Sequence, residues 1–223
     1  MKRFSTFLLL ALWAVCGLAQ SSQAVEENDP AARAILDAIK NKYEAYNSLD
    51  VHFTLTIAFP EEDPEIQKGH ISQQGEKYKL DLEGQSIISD GQTMWFHLKN
   101  RNEVQINDVM EDEEDELLSP KNLLRIYENE EFFYALVGEV EEAGTTVQKI
   151  EFKPLDRDSE YSKMRLSINK KTQEIIRIKT FAKDGSRYVL QIDQLTPNKR
   201  FTDDYFQFDV SQYPGLHVEN LRN

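Results

Sequence analysis

Four histidines, one cysteine and 39 acidic residues are the side chains of this 223-residue chain best suited to hold a metal, attack a substrate or move a proton. His52, His70, His97 and His217 lie at none of the close spacings by which a helix or loop presents metal ligands. Each reads as a polar-face residue. Cys16 falls in an apolar leader, so the body of the chain has no thiol nucleophile. No G-x-S-x-G elbow and no phosphate-cradling glycine loop occurs. Residues 108–116 hold seven acids in nine positions, but the spacing is wrong for a calcium loop and no glycine makes the mid-loop turn. That run reads as a solvated loop. With 39 acids, close carboxylate pairs arise by chance. The expectation is a protein that is not an enzyme, with no cofactor and no metal site.

The leader and the charge narrow the setting. Lys2 and Arg3 precede an apolar run over 7–18, and Ser22-Gln23-Ala24 supplies small residues for cleavage. This is the three-part pattern of a secretory signal peptide over 1–24, too short and wrongly flanked for a membrane span. Trp13-Ala14-Val15 does not suit lipid attachment at Cys16, which wants a small residue just before it. Residues 25–223 then form a single domain without disulfides, held by apolar burial. The expected location is the periplasm. Net charge is −13, and cleavage would remove two cations and no acid. Such a charge excludes nucleic acid and disfavours anionic membrane surfaces.

The elements that fill this domain are mostly strands. In residues 48–59, Leu49, Val51, Phe53, Leu55, Ile57 and Phe59 occupy odd positions, with Asp50, His52, Thr54, Thr56 and Ala58 between them. Successive strand side chains point to opposite faces, so this is a long strand with one apolar face, as in an antiparallel sheet wetted on one side. A helix over 31–46 precedes it, capped by Asp29 and opened by Pro30, with a stripe of Ile35, Leu36, Ile39, Tyr43 and Tyr46. Downstream, Tyr78, Leu80 and Leu82 alternate with charges, as do Met94, Phe96 and Leu98 with Thr93, Trp95 and His97. Further strands are expected at 66–74, 86–88, 104–106, 132–140, 147–152, 162–168, 174–181 and 187–195. In these, Leu166 and Ile168, Ile176 and Ile178, and Tyr188, Leu190 and Ile192 repeat the pattern. A last strand is expected at Tyr205-Phe206-Gln207-Phe208. Between the acidic run and residue 131, Ser119-Pro120 opens a short helix carrying Leu123, Leu124 and Tyr127, which reads as a lid.

These residues resemble the periplasmic outer-membrane lipoprotein carrier family, LolA. The likeness rests on the helix leading into 48–59 and on Ile87-Ile88-Ser89-Asp90-Gly91-Gln92-Thr93-Met94-Trp95-Phe96, whose core is S-D-G-x-T-x-W. The helix at 119–127, Phe206-Gln207-Phe208 and Pro214-Gly215 also fit. The resemblance implies a mainly β fold: an unclosed antiparallel barrel of about eleven strands, with the N-terminal helix and short lid helices over its apolar concave face. It implies a monomeric carrier, catalysing nothing, that accepts acylated lipoproteins from an inner-membrane lipoprotein-releasing ABC transporter and passes them to an outer-membrane receptor. The acyl-chain cavity it implies is lined by Phe53, Leu55, Ile57, Tyr78, Leu80, Leu82, Met94, Phe96, Leu98, Leu166, Ile168, Leu190 and Ile192, under a lid of Leu123, Leu124 and Tyr127. A lipoprotein-sensing regulatory domain on the same scaffold is the alternative. One departure concerns the latch. Known members carry an arginine near the start of the third strand, where this chain reads Gln74-Gly75-Glu76-Lys77, and lysine cannot reproduce a bidentate guanidinium contact.

Overall fold

The computed structural model describes residues 28–109, 128 and 131–222. The expected leader (1–24), the lid residues Leu123, Leu124 and Tyr127, and most of the acidic run lie outside those residues. Helix α1 (Pro30–Glu44) begins where expected: the Asp29 carboxylate accepts from the Ala31 N–H at 2.8 Å and Pro30 takes the first helical position. Its buried stripe is Ala32, Leu36, Ile39 and Tyr43. The same Asp29 ties the helix to the sheet, its second oxygen accepting from the Leu136 N–H at 2.9 Å. These backbone donors hold the Asp29 carboxyl below its ordinary pKa.

Among the described residues twelve strands follow: β1 (Leu49–Ala58), β2 (Glu65–Gln74), β3 (Lys77–Asp81), β4 (Gln85–Ser89), β5 (Thr93–Leu98), β6 (Glu103–Asp108), β7 (Phe132–Glu142), β8 (Thr145–Pro154), β9 (Tyr161–Asn169), β10 (Glu174–Ala182), β11 (Arg187–Pro197) and β12 (His217–Asn220). They form one unclosed sheet in the order β12-β6-β5-β4-β3-β2-β1-β11-β10-β9-β8-β7. Two antiparallel meanders, β1–β6 and β7–β11, meet at the β1–β11 seam. The turn in S-D-G-x-T explains part of the motif. The Asp90 carboxylate accepts from the N–H groups of Gln92 and Thr93, and Gly91 takes a φ of +91°, which only glycine adopts without strain.

The expected mainly β, unclosed sheet is present, with twelve strands among the described residues and β12 paired in parallel to β6 at one edge. Two expectations need correction. Tyr205–Phe208 is not a strand: Tyr205 N–H bonds back to Thr202 O and Gln207 N–H to Asp204 O, as in turns. Its alternating aromatics imitate a strand, yet Phe206 and Phe208 are buried through side-chain packing instead. The expected alternation of Ile176 with Ile178 fails as well. A bulge between Ile175 and Arg177 shifts the register, so Ile175 becomes the buried residue.

From β11 the chain does not stop but crosses the outer face of the sheet as a strap. Lys199 Nζ donates to Asp50 Oδ2 on β1 at 2.6 Å, and the Tyr205 hydroxyl lies 3.0 Å from Ser72 Oγ on β2. Phe208 packs on Ile88 and Val104, with Trp95 and Leu216 beside them. The Trp95 of the motif therefore serves the strap rather than the inside of the sheet. His97 of β5 is edge-on to Phe208 and Tyr213, at 5.0 and 4.7 Å between ring centroids. Asn102 then receives the strap, accepting from the His217 N–H and donating to Gly215 O, before β12 joins the edge.

Burial of His97, aided by Lys99 and opposed by Asp81, pushes its pKa below the ordinary histidine value. The folded protein thus favours neutral His97. Its contribution to stability is complete above the unfolded pKa of about 6.5 and declines as pH falls below that, because the unfolded chain takes the proton first. Urea denaturation of wild type and His97→Gln at pH 7.5 and 5.5 should show the gap between them shrinking at the lower pH.

Candidate functional site

Cross-strand partners share a face, so the register of the sheet aligns inward side chains into rows. One row runs Leu195, Val51, Ile71, Leu80, Ile87 and Phe96 across β11, β1, β2, β3, β4 and β5. A second runs Leu55, Leu190, Ile178, Leu166, Ile150 and Leu136 across β1, β11, β10, β9, β8 and β7. Each is apolar over six strands. Together with α1 they belong to one continuous apolar cluster.

Helix α1 occupies part of this concave face. Tyr43 sends its hydroxyl into the sheet, where it accepts from the Ile175 N–H at 3.2 Å. That donor sits at the β10 bulge, where the ladder is interrupted, so the phenol supplies a buried group with an acceptor. Burial pushes the Tyr43 pKa well above its usual value and keeps the phenol neutral. At its far end the helix is fastened by Lys42 to Glu174 at 2.9 Å.

Of the thirteen residues expected to line the concave face, eleven are gathered into the cluster. Phe53, Leu80, Met94, Leu166 and Ile168 are buried, whereas Leu55, Tyr78, Leu82, Phe96, Leu190 and Ile192 are half-buried and packed against them. Ile57 and Leu98, also half-buried, lie at strand ends outside it. Tyr78 donates to Met94 Sδ at 3.2 Å, linking β3 to β5. Sequence reasoning did not assign Ile71, Ile87, Tyr134, Ile150 or Phe152 to this face, although all are buried in it. Ile71 stands among polar neighbours, and Ile87 is followed by Ile88, which is buried on the opposite face, so neither shows the alternation; Ile150 and Phe152 show it plainly. Where β1 and β8 finish and β9 begins, Phe59, Leu155 and Tyr161 are exposed.

A family model described as outer membrane lipoprotein carrier protein LolA matches residues 47–209, from the end of the helix segment to the strap. The chain belongs to the LolA family. That family is one of carriers or binding proteins rather than enzymes. Its fold is shared with an uncharacterized conserved protein from Thermus thermophilus, at 13% identity over 85% of this chain and 99% of that one, with a TM-score of 0.56. Looser likenesses link it to a putative outer membrane lipoprotein-sorting protein domain from Vibrio parahaemolyticus (12% identity, 78% and 95% covered, TM-score 0.44) and to LprF from Mycobacterium bovis (11%, 78% and 96%, 0.45). A search of curated protein sequences returns no match. Among the described residues, no helix is long and apolar enough to cross a membrane.

One glycine shapes the LolA-like concave face directly. Gly69 pairs with Phe53 across β1 and β2, and the Phe53 ring lies over it so closely that any Cβ there would overlap the ring. Gly69→Ala should destabilise the protein by about 1–3 kcal/mol, as overpacking of a dense interior does, read as a lower denaturation midpoint in urea.

Proposed function

We propose that this LolA-family protein takes the acyl chains of lipoproteins onto its concave face and carries them through the periplasm from the inner to the outer membrane. The observation that carries the reading is the half-buried inner row Leu55, Leu190, Ile178 and Leu136, with Ile192 and Phe96 in the neighbouring rows. Partly exposed apolar side chains scattered singly are ordinary, but Leu55, Leu190 and Ile178 stand side by side on adjacent strands. Here apolar groups sit between solvent and the packed interior, where added hydrocarbon would cover them. The expected lid of Leu123, Leu124 and Tyr127 would close over the load, and exposed Phe59, Leu155 and Tyr161 would mark an end where hydrocarbon passes.

Magnitudes explain why such a carrier is needed. Exposing an acyl methylene costs about 0.8 kcal/mol, so a chain of roughly fifteen costs about 12 kcal/mol. Several such chains do not leave a membrane unaided on a useful timescale. An apolar face that replaces the lipid environment offsets most of this cost, while an acidic exterior, −13 for the full chain and more negative still without Lys2 and Arg3, keeps the loaded protein in solution. The donor would be an inner-membrane lipoprotein-releasing ABC transporter and the acceptor an outer-membrane receptor, with the carrier acting as a monomer after loss of residues 1–24.

A fluorescent triacylated lipopeptide titrated into detergent-free protein should bind saturably, one molecule per chain. Leu55→Glu and Phe96→Glu each place a charge among apolar partners and should weaken binding by about tenfold or more. Unchanged far-ultraviolet circular dichroism would show that the variants still fold. Failure of the folded wild-type protein to bind the lipopeptide would end the carrier reading.

A further inference from the structure

The outer face, opposite the acyl-binding rows, holds a cluster that linear spacing conceals. His52 of β1 and His70 of β2 are separated by the β1–β2 hairpin yet are direct cross-strand partners. Their rings stack in parallel, 4.2 Å between centroids and 8° between planes. Asp50, two residues before His52, shares this face. One ligand atom from each of Asp50, His52 and His70 falls within 4.8 Å of the other two.

We propose that Asp50, His52 and His70 form a site for a divalent transition-metal ion of the zinc–copper class. Two imidazoles and one carboxylate suit such ions, whereas calcium and magnesium want oxygen donors throughout. Around a four-coordinate ion with bonds of about 2.1 Å, ligand atoms stand roughly 3.4 Å apart. Asp50 Oδ1 and His70 Nε2 are already 2.7 Å apart, sharing a hydrogen bond that the ion would replace. The remaining closure falls to His52, which is exposed and would turn out of its stack on His70. Solvent on that side leaves a coordination position open.

The surroundings orient the ligands as outer partners do in metal sites. Asp50 is buried, and its other oxygen is held by Lys199 Nζ at 2.6 Å. Ser72 Oγ donates to Asp50 Oδ1 at 2.7 Å and is itself 3.0 Å from the Tyr205 hydroxyl. Burial opposes the charge on Asp50, but these hydrogen bonds outweigh it and keep the carboxyl below its ordinary pKa. The Lys199 charge weakens the site without occupying the coordinating oxygen. An ion here would fasten β1 to β2 behind Val51 and Ile71 and just where the strap departs. The inference is independent of lipid binding.

The test is titration of Zn2+ alone, and of Cu2+ alone, into the full protein in a non-chelating buffer, followed by isothermal calorimetry. One ion per chain is expected, with a higher thermal midpoint when it is bound. His52→Ala, at an exposed position where folding is not at stake, should weaken binding by about tenfold or more and abolish the thermal shift. His70→Ala should do the same, and His217→Ala, on distant β12, should change neither. Absence of saturable binding, retention of affinity in both His52→Ala and His70→Ala, or loss of it in His217→Ala would overturn the proposal.

Discussion

An open sheet has two edges and an apolar face, and the rest of this structure answers that constraint. Unpaired backbone groups at an edge invite other chains. At β7 the start of α1 meets the edge: Asn28 and Asp29 accept from the Tyr134 and Leu136 N–H groups, and the Asp29 N–H donates to Tyr134 O. At β6 the strap returns and adds β12. The elements that cover the two faces therefore also protect the two edges. Helix α1 does so from the inside, the strap from the outside.

The two faces are built from different chemistry. Inside, rows of aliphatic side chains make a surface without direction, where burial is worth about 25 cal/mol per Å2 and a flexible hydrocarbon can adapt to it. Outside, the contacts are directional. Glu151 pairs with Arg165 at 2.7 Å and Lys163 at 3.1 Å, Glu142 pairs with Lys149, and the Asp50 cluster anchors the strap. The partly exposed pair of Glu142 with Lys149 contributes little stability by itself, whereas Asp50 and Glu151 are carboxylates withdrawn from solvent that need their partners. Their directional contacts help fix the outer-face register, which the non-directional inner face does not.

How far the fold was legible from sequence depended on the range of the interactions involved. Period-two alternation is local, so β1, β3 and β5, with Phe53, Leu80 and Met94 facing inward, could be read directly. The Asp29 cap and the Ser89-Asp90-Gly91 turn are also local. The β1–β11 seam is not, because no pattern within either strand names the other. Bulges hide for the same reason: Ile175 and Ile176 are both suitable, and only pairing with β9 selects the first. Phe206 and Phe208 show strand-like alternation, but their burial comes from packing in the strap. His52 and His70 looked scattered because eighteen positions of chain become one rung of a ladder only when the hairpin closes.

The central seam has a consequence for how the molecule assembles. β1 lies near the beginning of the domain and β11 near its end, with Leu55 opposite Leu190. Each meander can zip from its own hairpins, but joining them requires closure of a loop that includes nearly the whole domain. Such distant pairing carries an entropic barrier and slows folding. The concave face is complete only after that closure, so an apolar surface spanning both halves cannot exist on a partly assembled chain.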